Sequence, residues 1–221
     1  MLSKELLQPA NPLEDINRQQ INYLLAHNEE NFQFLLAFVT TSKNFKIAIA
    51  EINFPPDVDA LITALQEHPK CQQIQFVVLN LNDSELRFLL VKIKQDLANI
   101  QREANKKLVL ILRGLEKSIG TTDDYPPILV NLNYVRDAFP DAVPHPVLFI
   151  LPDYAVTSLA RFAPDFWSWI SATFKFNTAP ETLDRARQRA FNDFDSPKYY
   201  RTHAKQERTE RIDLLERLLH E

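Results

Sequence analysis

The sequence predicts a three-layer α/β sandwich on a mostly parallel sheet, and three observations carry that prediction. Short, continuously apolar runs such as Leu108–Leu112 and Val147–Leu151 alternate with amphipathic stretches. Strands that are apolar throughout, rather than at every second residue, are those covered by helices on both faces. The third observation is size: 221 residues, 45% apolar and 24% charged, suffice for a core without staples.

The elements follow in order. Leu13, Ile16, Ile21, Leu24 and Leu25 recur at near-helical spacing and predict a first helix over 13–30. Phe32 to Thr40 is almost unbroken apolar sequence and reads as a buried strand. Lys46 to Ile52 does not settle between the two periods and leans to helix. Pro55-Pro56 punctuates, and Asp57 is placed to cap a helix through Val58, Leu61, Ile62 and Leu65. Ile74–Leu81 reads as the next strand, followed by a long helix from Asp83 or Ser84 to about Asn105. Leu108–Leu112 is a strand, and a helix through Ile128, Leu132, Val135 and Phe139 is closed by Pro140. Pro146–Leu151 is a strand, Ala155–Phe162 a short helix and Thr173–Phe176 a late strand. The chain thus divides into an N-terminal helical segment 1–30, an α/β domain 31–178 and a helical extension 179–221.

Composition mostly removes function classes. Twenty-five Lys and Arg against 29 Asp and Glu leave a charge of −4, which argues against a general nucleic-acid binder. The single Cys71 excludes an intramolecular disulfide and suits a reducing compartment. The N-terminus lacks an apolar leader, and no apolar run approaches the ~20 residues a bilayer helix needs; a cytoplasmic location is expected. Five histidines (27, 68, 145, 203, 220) stand singly, so no metal site is expected. Ser158 and Ser171 lack the elbow glycine of a hydrolase nucleophile. Eight of the 23 aromatics fall within 149–176 with only Arg161 and Lys175 among them, which favours a packed aromatic corner or a docking surface over base stacking.

Ligands of parallel sheets sit outside the carboxyl ends of the strands, so chemistry is sought there. Thr40-Thr41-Ser42-Lys43 follows the first expected strand, where a phosphate loop belongs. Such a loop needs glycines for its backbone N–H groups to wrap a phosphate, and Gly114 and Gly120 are the chain's two glycines. Thr41, Ser42 and Lys43 are candidates for a vestigial anion site; helix capping is the plainer explanation. Leu108–Leu112 followed by Arg113-Gly-Leu-Glu116 has the outline of a strand ending in an acid that orients metal or water. Arg136 and Arg161 are candidates to sense a phosphate at the same rim, with pairing to Asp137 or Asp165 as the structural alternative. No catalytic residue is assigned.

From Glu181 onward nine basic and nine acidic residues balance. Lys205–Glu221 is a charged helix with Ile212, Leu215 and Leu219 on one stripe. This stripe either folds back or meets a protein partner, a second copy, or repeats belonging to a longer chain.

At Leu151-Pro-Asp-Tyr-Ala155 and Ala163-Pro-Asp-Phe-Trp-Ser-Trp169, the sequence resembles the N-terminal AAA/STAND-like domain of cyanobacterial tetratricopeptide-repeat proteins. Phe174-Lys-Phe176, Gly114-Leu-Glu116, Leu132-Asn133 with Arg136, and Glu207 to Leu219 are similar to further motifs of that family. The resemblance implies a P-loop-NTPase-like topology and a regulatory or scaffolding module that binds proteins. Because this chain departs from the family's phosphate loop, the expected function is a degenerate, non-catalytic module without cofactor. The alternative is a divergent ATP- or GTP-binding enzyme that uses magnesium.

Overall fold

The computed structural model describes residues 12–121 and 125–186. Five strands form one fully parallel sheet in the order β2-β3-β4-β1-β5, the P-loop-NTPase-like topology expected. The chain enters through α1 (Pro12–His27) and α2 (Glu29–Thr41) before the first strand, β1 (Lys46–Ile52). Then follow α3 (Pro55–Glu67), β2 (Ile74–Asn80), α4 (Leu89–Ala98), β3 (Lys107–Arg113), α5 (Glu116–Ile119) and α6 (Pro127–Val135). A 3₁₀ turn leads to α7 (Phe139–Ala142), β4 (Pro146–Leu151), α8 (Asp153–Phe162), α9 (Pro164–Trp167) and the edge strand β5 (Ile170–Phe176). Residues 180–186 are helical again.

Alternation along each strand divides the core into two layers. Ile47, Ile49, Leu108, Leu110, Leu112, Val147 and Phe149 face the layer of α4, α6, α8 and α9. Ala48, Ala50, Val109, Ile111, Leu148 and Ile150 face α1, α2 and α3. Every one of these side chains is buried. The parallel register aligns Lys46 with Pro146 and Leu110 with Val147, so all strands present their carboxyl ends on one edge.

Four expectations are corrected. Phe32–Thr40 is helix, not strand: Phe32, Leu35, Leu36 and Val39 are buried at helical spacing, while Phe34 and Ala37 face outward. The apolar run hid its own period, because two outward positions are also apolar. Lys46–Ile52 is strand, not helix, and interior in the sheet; Ala48 and Ala50, poor strand formers, are buried in the layer of α1, α2 and α3. The helix expected from 84 to 105 is α4 alone. Asp83 does accept from the Glu85 N–H (2.9 Å), but this closes a turn and the helix starts later. Pro140 opens α7 rather than closing the preceding helix.

The aromatic corner is present. Phe139 packs edge-to-face on Phe166 (5.2 Å between centroids), Phe166 on Phe149 (6.0 Å), and Phe45 on Trp169 (5.9 Å). No helix of the described residues is long and apolar enough to cross a membrane.

Candidate functional site at the carboxyl edge

The loop after β1 occupies the position of a phosphate loop, and it reads Asn53-Phe54-Pro55-Pro56. A helix N-terminus binds anions through its free N–H groups and the positive end of its dipole. In α3 the first two positions are prolines, which have no N–H. The third N–H, of Asp57, is spent on the Phe54 carbonyl at 3.0 Å. The Asp57 side chain is itself buried at this helix end and accepts from Gln20 Nε2. The positive end of α3 thus already holds a carboxylate.

Around this loop the other carboxyl ends converge. Asn53, Asn82, Arg113, Gly114, Glu116 and Pro152 line a cleft of about 60 Å³, room for a few waters. Asn53 Oδ1 accepts from the Asp153 N–H (2.9 Å), tying the β1 loop to the β4 loop. Arg113, the last residue of β3, ion-pairs with Asp59 on α3. Gly114 adopts φ +84° directly against Asn82. Glu116 is half-buried at the cleft.

Of the expected site residues, the structure brings Glu116 to this edge and leaves the others apart from it. Thr41, Ser42 and Lys43 precede β1 and lie at the amino edge. Thr41 Oγ1 donates to the Ala37 carbonyl (2.7 Å), and buried Ser42 ends α2. They finish a helix rather than begin one. Lys107, the first residue of β3, donates from Nζ to the carbonyls of Val39, Thr40 (2.9 Å) and Ser42 (3.0 Å). It acts as a cationic cap on α2. Burial pushes the Lys107 ammonium below its ordinary value and the nearby Cys71 thiol above its own, which leaves that thiol unreactive.

Arg136 takes the structural alternative. It pairs with Asp165 (3.2 Å) and Asp137 (3.7 Å) and donates to the Asn133 carbonyl (2.8 Å). Asn133 Oδ1 accepts from the N–H groups of Asp165 (2.8 Å) and Phe166 (3.1 Å), capping α9. Two motifs singled out in the sequence, Leu132-Asn133 with Arg136 and Ala163 to Trp169, therefore meet and brace each other. Arg161 lies over the Phe162 ring at 4.8 Å. Asn53, Asn82 and the Pro55-Pro56 pair were missed. The signal that finds them is the strand at Lys46–Ile52, since the residues after it become the loop to inspect. Ile212, Leu215 and Leu219 lie outside the described residues, and no group of three or more metal-ligating side chains occurs among the described ones.

No family model and no curated protein matches the sequence. Among solved structures the chain is similar to the Drosophila ORC bound to poly(dA/dT) DNA and Cdc6, with 17% identity and a TM-score of 0.48. It is also similar to Rif2 in complex with the C-terminal domain of Rap1 (14%, 0.47) and to the ADP form of Aeropyrum pernix ORC2 (15%, 0.37). These matches cover 85%, 80% and 85% of this chain but 37%, 62% and 55% of the others, so the chain spans less than two thirds of each.

Proposed function

We propose that this chain is a degenerate, non-catalytic NTPase-like module that mediates protein–protein interaction in the cytoplasm, of the kind that precedes tetratricopeptide repeats. One observation carries the reading. The helix end that should receive a phosphate carries two prolines and a buried carboxylate, beside a cleft of about 60 Å³. A phosphate there finds no free N–H in the first turn of α3 and a buried carboxyl group beside it, and hydrolysis without that cradle lacks the donors that would stabilise its transition state. The interaction role is supported by the apolar stripe of Ile212, Leu215 and Leu219. Five of the six large exposed hydrophobics among the described residues support it further. Phe88, Val91, Tyr125, Val130 and Tyr134 lie on or beside the neighbouring helices α4 and α6.

Isothermal titration of the full chain with ATP and magnesium tests the first half, with no saturable heat expected. Submicromolar binding overturns it and returns Glu116 to a metal- or water-positioning role. Sedimentation tests the second half. Leu215→Asp is expected to abolish association with a partner, or self-association, at unchanged melting temperature. A stripe buried within the monomer would instead make this substitution destabilising by several kcal/mol.

A further inference from the structure

A second concavity lies at the opposite edge of the sheet, away from the site described above. It is an open groove of about 550 Å³ between α7 and the entry to β5, in the size range of small-molecule sites. Phe45 and Trp169 meet edge-to-face in its wall, and Phe45 is held from beneath by Phe139 at 6.1 Å. Pro140 and Pro144 also line it. Ser171 enters because the β1–β5 register slips there: Ile47 aligns with Ile170 but Ala48 with Ala172, leaving Ser171 as the extra residue of a bulge. Lys46 is exposed at the rim and, among the described residues, is the one charged residue of the lining, with no aspartate or glutamate beside it there. A rigid aromatic and proline wall with a single cation and hydroxyl and amide groups beside it is complementary to one kind of ligand.

We propose that this groove binds a small amphipathic anion, its flat apolar body against Phe45 and Trp169 and its acid group against Lys46. The bulge at Ser171 blunts the edge strand and disfavours an added β-strand in its place. An exposed ion pair contributes modestly, so the apolar wall supplies most of the affinity and Lys46 most of the selectivity.

The test uses matched probes titrated into the full chain, with heat and tryptophan emission as readouts: 2-naphthoate, its neutral amide, and 2-naphthyl phosphate. Saturable binding of naphthoate is expected, with the amide weaker by about two- to fivefold. Lys46→Glu should erase that preference and Lys46→Arg retain it, while Lys94→Glu on α4 changes nothing. The phosphate arm shows which acid group the rim prefers. Equal binding of acid and amide, no saturation at millimolar probe, or indifference to Lys46→Glu each overturns the proposal. So does a dimer that Trp169→Ala dissociates, since a second copy then fills the groove. Thermal unfolding of each variant confirms that the fold is retained.

Discussion

Gly114 holds φ +84°, and an added Cβ would stand 2.2 Å from Asn82 Oδ1 and 3.1 Å from the Asn82 backbone nitrogen. The exposed Asn82 amide swings aside, but the left-handed backbone does not. Gly114→Ala is therefore expected to cost about 1–2 kcal/mol, and adding Asn82→Ala should not restore it; recovery in the double variant places the cost in the contact instead. Lys107 stabilises through its three carbonyl partners at the negative end of α2. Lys107→Met removes charge-assisted bonds from a half-buried site and should lower unfolding free energy by about 1–2 kcal/mol; an unchanged denaturation midpoint contradicts the cap. His145 supplies the pH dependence. Burial, then the Arg102 guanidinium 3.3 Å from Nε2, hold it below its ordinary 6.5. Above 6.5 both states are neutral. Between the folded value and 6.5 the unfolded chain binds a proton that the folded chain does not, so stability falls as pH drops through that window and then levels off. Denaturant midpoints at mildly alkaline and mildly acidic pH should separate more in wild type than in His145→Gln; equal separations rule His145 out.

Helix α9 is too short to persist alone; the cap from Asn133 and the ion pair from Arg136 hold it. Asn133→Ala should cost about 1–2 kcal/mol, and Arg136→Met less because its pair is partly exposed. Calorimetry on both variants checks the order, and a larger loss for Arg136→Met reverses the assignment of roles. The sequence made this brace half-legible. The Arg136–Asp165 pairing was open to inspection as an alternative, whereas the Asn133 cap spans 32 residues and has no local signature. The same limit explains the exchange of element types at the chain's start. Phe32 to Val39 is apolar on both faces because Phe34 is exposed, so period gave way to run length. Lys46–Ile52 is interrupted by Ala48 and Ala50, buried in the layer of α1, α2 and α3 despite their poor strand propensity. That one exchange moved the expected phosphate loop from 40–43 to 53–56, from one edge of the sheet to the other. Glu116 was placed at the right edge because its strand, Leu108–Leu112, is apolar throughout and bounded by charge.

At the scale of the whole molecule the sheet is a shared wall. Leu110 and Ile111 are neighbours in sequence, yet one belongs to the α4–α6 layer and the other to the α1–α3 layer. Every buried central strand contributes to both layers in this way, so neither layer keeps its sheet face if the other melts. The molecule is expected to unfold in one cooperative step despite having two hydrophobic clusters. Leu36→Ala empties space on the α2 side and Leu132→Ala on the α6 side; both side chains are almost fully buried. Each should cost about 2–5 kcal/mol, with near-ultraviolet and far-ultraviolet signals moving together. Because the sheet separates the two sites and they share no partner, the double variant should lose the sum within about 0.5 kcal/mol. A second transition in either single variant, or a double variant well short of the sum, shows that the layers unfold separately or relax through the sheet.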